Sequence, residues 1–127
     1  MGMYTELNMC CRVKDDPVAV SILMYLAHDR AHPPTELPDH PLFKCERWHQ
    51  LLTCSSYYFV PRSVAIFEYD DVGKSWCLVS HAGLKNYDGE IGKFIDWISP
   101  YVDDRDTMIG YSRYEEDRDP VIYYSPS

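Results

Sequence analysis

A helical pattern that directly follows two strand-like segments constrains the fold of this chain more than any other feature. One apolar stripe at the helical period runs through residues 89–102 and consists of Ile91, Phe94, Ile95, Ile98 and Val102. Asp88 is the expected N-cap, and Pro100 ends the helix near Ser99 or kinks it there, because proline cannot donate the next hydrogen bond. A helix of this length is marginal in water alone, so its apolar stripe must pack against a sheet.

The two segments before the helix predict a β-hairpin. Residues 63–69 and 75–84 are rich in β-branched and aromatic side chains, and an acidic loop containing Gly73 joins them. Alternation places Val64 and Ile66 on one face and Ala65 and Phe67 on the other, so both faces are fairly apolar. The pattern therefore favours central strands that are covered on at least part of both faces.

Simpler patterns predict the other elements. Residues 4–14 alternate as a strand with one wet side, and Asp16-Pro17 opens a helix over residues 17–28. Four prolines make residues 30–42 a long loop. After it we expect a helical turn over residues 43–47 and then a strand over residues 51–60.

Two strands are predicted near the C-terminus. Residues 107–114 contain Gly110, which marks a bulge or a close approach, and residues 121–124 form a short last strand. The expected fold class is α+β, as one domain over residues 1–127. A single sheet of about five or six mostly antiparallel strands carries two helices on one face, loosely like a ferredoxin-like plait.

Charge and composition exclude several classes of function. The net charge of −8 argues against direct binding of nucleic acid, which needs a dense basic surface. The sequence has no apolar run of about 18 residues and no secretory leader, so neither a membrane partner nor export is expected. The 5 cysteines have no regular spacing, which is typical of free thiols in a reducing, cytoplasmic compartment.

Three stretches, together with the opening MYTELN, resemble a group of small uncharacterised proteins from bacteriophages and prophages. They are RWHQLLTCSSYYFVP (residues 47–61), LKNYDGEIGKFIDWISPYV (residues 84–102) and MIGYSRYEEDRDPVIYY (residues 108–124). The resemblance implies an accessory role in the cytoplasm of a bacterial host cell. It supplies no catalytic residues, because that group carries no established activity.

The best candidate for a metal-binding site is weak. Cys45, His49 and Cys54 are residue types that zinc prefers, and three histidines lie on the preceding segment at positions 28, 32 and 40. No CxxC pair accompanies them, and the alternative is an exposed Pro/His-rich loop beside buried thiols. Nucleophile elbows and glycine-rich phosphate loops are also absent from the sequence, so we predict no cofactor and favour a protein that is not an enzyme.

Two groups of side chains are candidate binding surfaces. An aromatic–arginine group has the residue types that dominate protein interfaces, and it consists of Arg47, Trp48, Tyr57, Tyr58, Arg62, Tyr111, Arg113 and Tyr114. Residues 103–119 form an acidic segment that includes Glu115, Glu116 and Asp117. In the alternative interpretation, Trp48 and half of the tyrosines belong to the core, and the acidic segment is a solvated turn that protects a sheet edge.

These features favour a phage-type accessory protein that binds a protein partner of host or phage, or a second copy of itself. A binder of a small nucleotide-like ligand, or an enzyme with a pocket beneath residues 30–42, remains an alternative. A minor component of the virion or of its assembly is a further one.

Overall fold

The hairpin and helix expected in residues 63–102 are present in the computed structural model, which describes residues 3–56 and 59–126. The strands are β1 (Thr5–Val13), β2 (Val64–Asp70), β3 (Ser75–Leu84), β4 (Met108–Tyr114) and β5 (Val121–Tyr124). The helices are α1 (Pro17–Ala27) and α2 (Glu90–Ile98), and short 3₁₀ helices span Pro41–Lys44, Trp48–Gln50 and Ser99–Tyr101.

The five strands form one antiparallel sheet in the order β2-β3-β1-β4-β5. Strand β3 lies between β1 and β2, so the unit β1-α1-β2 is split by an antiparallel strand. This is the strand order of a ferredoxin-like plait, extended by β5 at one edge. The α+β prediction is confirmed.

Both helices cover the same face of the sheet. On β1 the side chains of Leu7, Met9, Cys11 and Val13 point to this face and are buried. They join one core with the apolar sides of both helices, which contribute Ile22, Leu23, Leu26, Ile91, Phe94 and Ile98. Burying each large apolar side chain contributes about 1.5–3 kcal/mol, so this face holds most of the hydrophobic stabilisation.

The predicted stripe of α2 faces the sheet, with one difference. Ile91, Phe94 and Ile98 are buried, whereas Ile95 is only half-buried and Trp97 takes a place in the core. The ring of Trp97 packs edge-on against Phe43, with 5.5 Å between centroids. The 3₁₀ helix Pro41–Lys44 therefore covers a flank of α2 that the periodicity alone does not reveal.

The start of α1 is as predicted, and the start of α2 is not. The carboxylate of Asp16 accepts a hydrogen bond from the amide of Ala19, which is an N-cap contact. In α2 the N-cap is Gly89, at φ 68°, instead of Asp88. Asn86 Oδ1 accepts from the Ile91 amide at 2.9 Å, so a residue further back in the turn satisfies the exposed helix end.

The strand predicted over residues 51–60 was wrong. The helical turn predicted over residues 43–47 is present but begins earlier, as the 3₁₀ helix Pro41–Lys44. The 3₁₀ helix Trp48–Gln50 leads into a turn in which the Cys54 amide donates to the Gln50 carbonyl. Leu51 and Leu52 are both buried, which alternating strand residues could not achieve against one core. Within the described part of this segment, only an isolated bridge between Ser56 and Val60 is strand-like.

Strand β2 is an edge strand, which corrects the expectation that the hairpin is central and covered on both faces. Val64 and Ile66 are each 43% exposed, because both helices lie on the opposite face. In β4 the predicted irregularity is confirmed, since the pairing with β5 shifts register between Met108 and Gly110.

Candidate binding surfaces

The face of the sheet that carries no helix, called the open face below, exposes a band of apolar side chains. Cross-strand pairing defines one row through all five strands, and this row consists of Val64, His81, Asn8, Tyr111 and Ile122. The next row is Ile66, Val79 and Cys10. The four aliphatic members of these two rows are 41–43% exposed, and Cys10 is also exposed.

A buried carboxylate anchors the polar end of the open face. Glu6 is 8% exposed; its Oε1 accepts from Arg113 Nε at 2.9 Å, and its Oε2 lies 2.9 Å from His81 Nε2. The guanidinium of Arg113 also lies 4.8 Å from the centroid of the Phe59 ring. Arg113 is therefore committed to Glu6 and to the segment that contains Phe59.

Tyr111 is half-buried in the first apolar row. Its hydroxyl accepts a hydrogen bond from the Asn8 side-chain amide at 3.2 Å. The bond fixes the phenol against β1 and leaves part of the ring surface in the open face. Among the described members of the predicted aromatic–arginine group, Tyr111 and Arg113 share this face.

The acidic turn after β4 lies at the end of the sheet. Glu115 Oε1 accepts from the Tyr4 backbone amide at 2.6 Å, whereas Glu116 and Asp117 are exposed to solvent. Partial removal from water, and then the nearby Glu116, Glu115 and Asp117, raise the pKa of Tyr114. The turn thus contributes negative potential at one rim of the sheet.

Other described members of the aromatic–arginine group are dispersed. Trp48 is half-buried against the core, with its ring centroid 5.1 Å from that of Phe43, so it corresponds to the core interpretation. Arg47 lies over the ring of Tyr87, and Arg62 is exposed beside the start of β2. Tyr57 and Tyr58 lie outside the described residues.

The three candidate metal ligands do not converge. Cys45 is buried with its Sγ 3.6 Å from Lys93 Nζ. Cys54 lines a cavity to which neither Cys45 nor His49 contributes. His49 has its ring against Trp48. Across residues 3–56 and 59–126, no set of three or more His, Cys, Asp or Glu side chains is arranged to hold a metal ion.

One cavity was not foreseen from the sequence. It has a volume of about 160 Å³, and its wall includes Tyr4, Arg47, Leu84, Lys85 and Glu90. Neither Trp48 nor His49 contributes to it. Near the Pro-rich loop there is a depression of about 130 Å³ that Pro17, Thr35 and Glu36 help to line. The missed cavity joins residues from three distant parts of the chain, so no local pattern could have indicated it.

Comparison with family models, with curated proteins and with solved structures finds no match for this chain. In the part of the chain that the structure describes, no helix is both long enough and apolar enough to cross a membrane.

Proposed function

We propose that the protein is a non-enzymatic accessory protein of a bacteriophage or prophage, and that it binds a protein of the host or the phage through the open face. The observation that carries this proposal is the band of aliphatic side chains at Val64, Ile66, Val79 and Ile122. Contiguous exposed apolar surface is uncommon on soluble proteins unless it serves binding.

The charges around the band support the choice of a basic partner. Two cations of the open face are neutralised within the chain, since Arg113 pairs with Glu6 and Arg12 Nη2 lies 2.7 Å from Asp70. Both rims of the sheet have excess acid. Residues 68–74 contain 3 acidic side chains, of which Asp70 pairs with Arg12, and 1 lysine. Residues 115–119 contain 4 acidic side chains and 1 arginine. A complementary partner presents an apolar strip flanked by Lys and Arg.

Capture from bacterial host lysates, infected and uninfected, tests this proposal with matched variants of the tagged chain. Ile66→Asp places a charge in the middle of the apolar band. Val72→Asp makes the same change at a side chain that is 93% exposed in the hairpin turn, away from the band. We expect a basic partner that wild type and Val72→Asp retain, that Ile66→Asp loses, and that added salt weakens.

Two results would reject this use of the open face. One is a captured set that is identical for both variants. The other is a homodimer of the chain that Ile66→Asp dissociates, because a second copy would then occupy the band.

A further inference from the structure

The cavity walled by Tyr4, Arg47, Leu84, Lys85 and Glu90 has the charge arrangement of a ligand site. It lies at the end of the sheet where β1 begins and β3 ends. Its volume of about 160 Å³ would hold about five water molecules at ~30 Å³ each, which is also the size of a small organic molecule.

Glu90 is the buried polar group of this cavity. The residue is 2% exposed, and its Oε1 accepts from the Asp88 amide at 2.6 Å. No described residue donates to Oε2. Among the described residues, three side-chain polar atoms are sealed from solvent and have no hydrogen-bond partner: Ser75 Oγ, Ser80 Oγ and Trp97 Nε1. Oε2 of Glu90 is not one of them. Because Glu90 lines the cavity, its Oε2 can accept a hydrogen bond from a donor that enters there.

Two cations stand at the outer part of the same cavity. The Arg47 guanidinium lies 5.7 Å from the centre of the Tyr87 ring, and Lys85 Nζ lies 5.7 Å from the same ring and 5.8 Å from that of Tyr4. Neither cation makes an ion pair with a carboxylate of residues 3–56 or 59–126. Aromatic faces hold them in place and leave their hydrogen-bond donors available.

We infer that this cavity binds a small zwitterion, a free α-amino acid with an aliphatic side chain. The ammonium group donates to Glu90 at depth, and the carboxylate accepts from Arg47 and Lys85 at the mouth. The remaining wall consists of Tyr4, Gln50, Cys54 and Leu84, of which Leu84 and Cys54 suit an aliphatic group of the ligand. A simple anion would meet the buried Glu90 carboxylate, and a simple cation would meet Arg47 and Lys85, so neither satisfies both ends.

Calorimetric or NMR titration with L-valine and two truncated relatives tests the assignment. Valinamide lacks the carboxylate, and 3-methylbutanoate lacks the ammonium group. We expect saturable binding of valine or of another amino acid of the aliphatic series, and at least tenfold weaker binding of the corresponding relatives. Absence of saturable binding throughout the series, or equal binding of the amide, would overturn the assignment.

Variants locate the site. Glu90→Gln keeps the acceptor for the Asp88 amide but removes the charge, and the double variant Arg47→Ala/Lys85→Ala removes the cations; each should weaken amino-acid binding at least tenfold. Lys44→Ala removes an exposed cation elsewhere and should leave it unchanged. Ile66→Asp should also leave it unchanged, since the cavity is separate from the open face. Full binding by Glu90→Gln, with folding verified by its amide spectrum, would contradict the proposed site.

Discussion

Arg113 Nε donates to Glu6 Oε1 at 2.9 Å, and the two residues lie directly opposite each other on neighbouring central strands. The pair joins β1 to β4 across 107 residues of sequence. Since His81 approaches the other oxygen of Glu6 from β3, one carboxylate connects the three inner strands of the sheet. These three polar side chains form one border of the apolar band on the open face.

Replacement of Glu6 by Gln should destabilise the fold. Arg113 would lose its charged acceptor at a site that is only 8% exposed, but its own guanidinium keeps some contact with water. We expect a loss of about 1–2 kcal/mol in the free energy of unfolding, measured by urea denaturation. Glu68→Gln, an exposed change on the same face, should stay within about 0.5 kcal/mol of wild type. Equal effects of the two changes would show that the Glu6 pair does not stabilise the sheet.

Two glycines should respond in opposite directions to replacement by alanine. At Gly110 an added Cβ would collide with the Asn8 carbonyl oxygen and lie 2.8 Å from Met9 Sδ. At Gly92, on the exposed side of α2, nothing lies within 4 Å. Gly110→Ala should cost about 1–3 kcal/mol, and Gly92→Ala should stabilise by about 0.5–1 kcal/mol. Thermal unfolding of both variants measures this contrast, and the close approach in β4 is refuted if Gly110→Ala is neutral.

Neighbouring cysteines should differ sharply in alkylation. Cys10 is exposed on the open face, whereas Cys11 is 5% exposed and points into the core. Iodoacetamide at about pH 8 should label Cys10 in the native protein and label Cys11 only after unfolding. Peptide mass spectrometry distinguishes the two sites. Rapid labelling of Cys11 in the native protein would mean that the side chains of β1 point to the opposite faces of the sheet.

The Cys11 thiol also predicts a dependence of stability on alkaline pH. Burial, followed by the nearby Asp104, raises the pKa of Cys11 from 9.0 to about 12. Between these values the unfolded chain loses this proton while the folded chain keeps it, so the contribution is complete below pH 9 and declines as pH rises towards 12. The difference in unfolding free energy between wild type and Cys11→Ala should therefore be smaller at about pH 10.5 than at about pH 8. A constant difference would contradict the raised pKa.

Periodicity was sufficient for the elements that pack against one core. The stripe of α2 and the alternation of β1 have a single apolar side, so burial of Phe94 and Met9 follows from their spacing. The segment around Leu51 was misassigned because Trp48, Leu51 and Leu52 fit a turn of helix as well as a short buried strand. Its contacts with Phe43 and Tyr25 depend on the tertiary fold.

The candidate surfaces were less accessible to sequence reasoning. Val64 and Ile66 were recognised as apolar, but their exposure depends on both helices lying on the other face. Arg113 was selected for its residue type, and the structure assigns its charge to Glu6, which is remote in sequence. The placement of Glu90 could not be predicted, because its burial beside Arg47 and Lys85 depends on the packing of segments that are distant in sequence.

The most direct test of the open face as a protein-binding surface is a methyl NMR titration of the labelled chain with the partner that it captures. The account predicts that the methyl resonances of Ile66, Val79 and Ile122 shift or broaden first, while those of Val18 and Leu37, exposed elsewhere, keep their positions. Changes confined to Val18 and Leu37, with the methyls of the apolar band unaffected, would contradict it.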